Sequence, residues 1–279
     1  MRSLILCAIV ALSASQPPAG TPVLFAPGIV SGVENAGAPT FMPDGHTIYF
    51  TRSDAHRSVI LESHQVGGAW STPQAAPFSG GQWSDQQPAL APDGSFLVFV
   101  SVREHMANLW RVDRQGTGWS APSRLPAAVN VGPSIWRPSV ARDGSVYFFV
   151  IGKDEKGRTM RLYRSPCDHG RYLPAEPLPF SDGAKQDVDP EVAPDESFIV
   201  FASAGRSSAD DAHEHLFVAH RRGADWGPVT PLRYVGSDTS TDDNEPRLAP
   251  DRRTLYFSSS RANGNANVMS LPTGKWLVD

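Results

Sequence analysis

Cysteine is scarce: the 279-residue chain has two, Cys7 and Cys167. Cys7 lies in an N-terminal segment that reads as removable, which leaves one thiol and excludes an intramolecular disulfide framework. An excess of either charge is also missing. The formal net charge is −4, and this argues against a nucleic-acid partner, which would need a basic face. Past the first 15 residues no apolar run approaches the ~20 residues of a membrane-crossing helix. Gly-x-Ser-x-Gly, Walker A, dinucleotide-type glycine and His-Glu-x-x-His patterns are all absent. That speaks against common hydrolase, nucleotide-dependent and zinc-protease chemistry, and no cofactor is expected.

Turn-forming residues are plentiful, with 24 glycines and 25 prolines, and they are organised. One phrase recurs five times: Pro39-Thr-Phe-Met-Pro-Asp-Gly45, Pro88-Ala-Leu-Ala-Pro-Asp-Gly94, Pro138-Ser-Val-Ala-Arg-Asp-Gly144, Pro190-Glu-Val-Ala-Pro-Asp-Glu196 and Pro246-Arg-Leu-Ala-Pro-Asp-Arg252. The turn aspartates Asp44, Asp93, Asp143, Asp195 and Asp251 are spaced by 49, 50, 52 and 56 residues. A period in that range signals a repeat architecture. In a full Pro-Asp-Gly turn proline presets φ, aspartate bonds nearby backbone and glycine takes the left-handed position; copies three, four and five each depart from it at one position. Glu196 and Arg252 stand where glycine is favoured, so those turns are expected to be strained or of another type.

After each turn comes a β-rich run: Ile48–Thr51, Leu97–Val100, Val146–Phe149, Ile199–Ala202 and Leu255–Ser258. Residues of this kind favour strand over helix. A third apolar run follows, then an aromatic with a proline close by, as in Trp70-Ser-Thr-Pro73 and Trp119-Ser-Ala-Pro122. Four short strands per unit of about 50 residues describe a propeller blade. Trp70, Trp119, Trp226 and Trp276 recur at one repeat position and read as packing between blades. The fifth unit ends at Trp276 without room for a fourth strand, and residues Pro22–Pro27 are placed to supply it.

The phrases resemble the WD40-like PD40 repeats of the TolB family of β-propellers over residues 22 to 279. The resemblance implies an all-β fold, a single propeller domain. The count gives five four-stranded blades, with six as the lesser alternative, and a ring closed by pairing of the N- and C-terminal strands. TolB's additional N-terminal domain has no room here, so TolB's own partnership is not carried over.

The N-terminus reads as an export signal: Arg2, apolar Leu4 to Leu12, then Ser13-Ala14-Ser15. Cleavage is expected after residue 15, or as late as residue 20, giving a periplasmic or secreted protein without a membrane span. A monomer is expected, whose partner is an envelope or extracellular protein or a small ligand.

Candidate site residues flank the first proline of each phrase, on the innermost strand. Extending back along that strand adds acids in units two, four and five. The ligand-binding set is Asp85, Gln87, Trp136, Arg137, Asp187, Asp189, Glu191, Asp243, Glu245 and Arg247, forming an acidic, lopsided channel mouth. On the plain reading these acids bond backbone N–H groups of the next blade, and no residue is catalytic. The alternative is a glycosidase-like hydrolase with Glu191 or Glu245 as acid and Asp189 or Asp243 as base. His213-Glu214-His215 places two imidazoles on one strand face with Asp210 and Asp211 upstream, a set zinc could use, but it adjoins a polar loop where histidine pairs are usually solvated. The acidic stretch 238–245 lacks the glycine and spacing of an EF-hand loop, and no metal is assigned.

Overall fold

The computed structural model describes residues 20–32, 34–155, 157–207, 212–237 and 240–274. The expected export segment 1–15, Cys7, Asp210, Asp211 and Trp276 lie outside the described residues. Among those described, no α-helix forms and every regular element is a β-strand. Among the described residues no helix is long and apolar enough to cross a membrane.

Each phrase builds an antiparallel meander. Unit one comprises an inner strand Asn35–Phe41, a second strand Thr47–Ser53 and a third strand Ser58–Val66. The corresponding strands are Asp85–Leu90, Phe96–Ser101 and Asn108–Gln115 in unit two. They are Ile135–Val140, Val146–Asp154 and Gly157–Ser165 in unit three. Unit four has Gln186–Val192, Phe198–Ala204 and His215–Arg222. Unit five has Asp243–Leu248, Thr254–Ser259 and Asn267–Pro272.

The fourth strand is broken into two-residue pieces. In unit one Trp70 pairs with Gln65, whereas Ala75 pairs with Leu61. Pro73 stands between them and has no N–H to donate. Unit five receives its outer strand from the other end of the chain, with Val23 opposite Ser270 and Leu24 opposite Met269.

The core sits between neighbouring units. Phe50, Phe99, Phe148, Phe201 and Phe257, at one repeat position, are all fully buried. Each such ring contributes about 1.5–3 kcal/mol relative to exposure. The outer aromatics pack across the seams as expected: Trp119 stands edge-on to Tyr49 of unit one, 5.9 Å between centroids. The inner strands touch in order, and that of unit five also touches that of unit one.

The turns of all five units share one backbone shape. Gly45, Gly94 and Gly144 have φ of 73°, 75° and 89°, and Glu196 and Arg252 adopt 56° and 57°. The two substituted turns are therefore the same turn, held in a strained conformation for residues with a Cβ.

Candidate binding site between the inner strands

Every inner strand carries a bulge at its phrase's first proline, where the register with the second strand slips. The residue before that proline is left-handed each time: Ala38, Gln87, Arg137, Asp189 and Glu245 have φ of 51–55°. Residues preceding proline ordinarily stay extended, so simple alternation of side chains along the strand fails here. Such strain persists only where surroundings hold it, and here the neighbouring unit does so.

Two layers of inter-unit bonds cross the inner strands. In the first, the Arg137 N–H donates to Gln87 Oε1 at 3.0 Å and the Glu245 N–H to Asp189 Oδ2 at 3.0 Å. The Gln87 N–H donates to Thr51 Oγ1 at 2.8 Å. In the second, Leu90, Val192 and Leu248 N–H groups donate to Thr40, Ser139 and Glu191 of the preceding unit. Glu245 also accepts from Gln87 Nε2 and Ser258 Oγ. Gly37 leaves room for it, since a Cβ there would lie 2.0 Å from Glu245 Oε2.

Two arginines span the polar column so formed. Arg137 is completely buried, and its Nη2 donates to Glu245 O at 2.6 Å and Pro246 O at 3.2 Å. Among the described residues its Nε and Nη1 have no hydrogen-bond partner. Arg247 pairs with Glu191 at 2.5 Å and donates to the carbonyls of Pro138 and Pro88. Burial pulls its guanidinium down to about 10, against the opposing charge of Glu191, so it stays charged at neutral pH.

At the ends of the inner strands farthest from the turns, Asp85, Asp187 and Asp243 are buried and do not join the column. Each is held by an arginine following the second strand of its own unit: Asp85 by Arg103 at 2.8 Å, Asp187 by Arg206 at 2.6 Å and Asp243 by Arg261. Those guanidiniums lie over Phe99, Phe201 and Phe257. The extended strand does reach these acids, but the bulge separates their direction from that of Gln87, Asp189 and Glu245. Trp136 is half-buried, its Nε1 donating to Ser134 Oγ at 2.6 Å.

Asp189 is the most perturbed acid. Burial raises its carboxyl well above the usual range, and the charges of Glu214 and Glu245 add to the effect. Glu214 is itself raised, first by burial, and accepts from Asn244 Nδ2 at 2.7 Å. Sequence reasoning passed over Glu214 because it precedes a third strand, and its only signal was position between two histidines. His213 meets Asp242 at 3.4 Å. Among the described residues no group of three or more His, Cys, Asp or Glu is arranged to hold a metal.

At the turn end the column opens into a cavity of about 160 Å³. Its polar lining includes Glu191, Arg247, Ser139 and Thr40, and its apolar lining Phe41, Leu90, Val140, Val192 and Leu248. Apart from Trp136, the sequence-selected residues therefore divide among a cavity floor, a structural column and three ion pairs within single units.

No protein-family model matches this sequence, and no curated protein does. Solved structures do. A structure described as TolB from Agrobacterium tumefaciens has a TM-score of 0.55 at 17% identity, covering 86% of this chain and 78% of that one. TolB from Acinetobacter baumannii scores 0.54 at 16% identity, covering 86% of this chain and 55% of that one. A thermostable family-43 glycoside hydrolase scores 0.59 at 12% identity, covering 88% and 90%. At these identities the likeness shows the fold alone: a TolB-like, propeller-type all-β architecture.

Proposed function

We propose that this chain is an exported, five-bladed β-propeller that acts as a non-catalytic binding module. The five meanders, the cyclic contacts of their inner strands and the Val23–Leu24 pairing with Asn267–Pro272 support a closed ring. The export reading rests on the pattern of residues 2–15. One observation carries the functional reading: each inner-strand carboxylate of the expected site is tied up within the fold, by backbone N–H groups, hydroxyl or amide groups, or arginines. Groups so bound are poorly placed to exchange protons with a substrate. The turn-end cavity, apolar-walled with an ion pair at its base, suits a side chain of an envelope or extracellular protein or a small amphipathic ligand.

The second reading is a glycosidase-like hydrolase, favoured by one observation, the raised Asp189 carboxyl beside Glu214 and Glu245. A carboxyl raised toward neutral pH suits proton transfer, here in the base role this reading gives Asp189. Capture of partners from envelope extract, with turnover of aryl glycosides and lactones measured on the same protein, separates the two. The binding reading expects a retained partner that is lost in a folded Leu90→Trp variant, with no turnover. Turnover abolished by Glu191→Gln or Glu245→Gln overturns it.

A further inference from the structure

The seam between units five and one differs in charge from those that carry Trp119 and Trp226. In unit two the outer tryptophan Trp119 sits opposite Arg114 in the hairpin, and the guanidinium lies 5.0 Å from the indole centroid. Unit four repeats this with Trp226 opposite Arg221, at 5.1 Å. In unit one the residue opposite Trp70 is Gln65, whose Oε1 is bonded by exposed His46 at 2.9 Å. Among the described residues no cation lies over Trp70.

The rest of the seam is open where its counterpart is closed. Trp119 Nε1 donates to Tyr49 OH at 3.1 Å. The equivalent pair, Trp70 and Tyr256, makes no such bond, and Phe25 stands beside both rings at 6.0 and 4.9 Å. A groove of about 490 Å³ runs over these aromatics and is edged by Asp44 and Asp251. Asp195, the unit-four counterpart of Asp251, is paired with Arg252 of the next unit at 3.0 Å. At the corresponding place in unit one the chain has Gly45, and among the described residues neither Asp44 nor Asp251 has an ion-pair partner. The negative charge reaches into the groove: burial, with Asp251 adding, pushes the Tyr256 hydroxyl up to about 12.

From this we infer that the groove at the seam of units five and one binds an arginine side chain of a protein partner, seated over Trp70 between Asp44 and Asp251. The repeat supplies the pattern, since two other units place their own arginine on the equivalent indole. The chemistry agrees, because a guanidinium stacks on an aromatic face while its N–H groups reach carboxylates. The inference stands on the seam alone and does not require the turn-end cavity to bind anything.

The test is titration of the whole protein with acetyl-Gly-Arg-Gly-amide and with its citrulline counterpart, which keeps the shape and loses the charge. The readout is the NMR signal of the Trp70 indole N–H. We expect the arginine peptide to shift it and the citrulline peptide to bind ~10-fold more weakly. Gln65→Arg should abolish the response by restoring the repeat's own pair, and Asp44→Asn with Asp251→Asn should weaken it ~10-fold, both with unchanged unfolding curves. Equal binding of the two peptides, or an unaltered response in Gln65→Arg, overturns the assignment. So does a response to tetramethylammonium alone.

Discussion

The two ends of the inner strands use the same chemistry for different purposes. Far from the turns, Asp85–Arg103, Asp187–Arg206 and Asp243–Arg261 each join the inner strand to the end of the second strand within one unit. At the turn end, Glu191–Arg247 joins unit four to unit five, and Arg247 also bonds carbonyls of units two and three. The first kind of pair consolidates a blade, and the second holds blades to one another. A carboxylate's role here follows its position in the phrase: the aspartates upstream of the first proline pair within their own units, whereas Glu191, directly after that proline, pairs with the next unit.

Breaking the inter-unit pair should have the largest effect. Arg247→Met leaves Glu191 buried without its counter-charge and is expected to cost ~3–5 kcal/mol in denaturant unfolding. Adding Glu191→Gln should cost far less than the sum of the single changes, because the two residues share one interaction. Asp187→Asn is expected to cost ~2–3 kcal/mol, less because Arg206 keeps some access to water. Its effect should add to that of Asp243→Asn, since those pairs lie in different units. Equal costs at the two ends, or coupling between Asp187 and Asp243, would break the distinction.

A smaller and pH-dependent effect is expected at Asp189. Its folded-state carboxyl is raised, so the unfolded chain loses this proton first as pH rises. Its contribution is therefore favourable at low pH and is lost from about pH 4 upward. Asp189→Asn mimics the protonated form and can still accept the Glu245 N–H. Its Tm relative to the parent should rise as pH increases from 4 to 7. An advantage that shrinks with pH would contradict the assignment. The smallest change is Arg252→Gly. Relief of a left-handed residue opposes loss of a surface ion pair, and stability should move by less than about 1 kcal/mol.

The frame of the molecule was legible in the sequence. The Pro-Asp-Gly turns and the second strands with their buried phenylalanines rest on local signals, and the outer strand from Pro22–Pro27 rests on the strand that the repeat count leaves missing in unit five. The column was legible in part. Its residues were identifiable by flanking the first proline, but their directions were not. A left-handed residue before proline runs against local preference and is held there by bonds from the next unit, which no single repeat reveals. The pairing of Asp85, Asp187 and Asp243 had a signal in hindsight: an arginine following the serine that ends, or nearly ends, each second strand. Glu214 had only its place between two histidines, because its approach to Asp189 depends on how units four and five pack.

Glu191 tests the central claim most directly, since the same carboxylate is structural in one reading and catalytic in the other. Denaturant unfolding of Glu191→Gln, with glycoside and lactone turnover followed on the same samples, decides between them. A stability loss of ~3 kcal/mol or more with no turnover in either protein is the predicted result. Stability within about 0.5 kcal/mol of the parent, with turnover present in the parent and lost in the variant, would contradict the account.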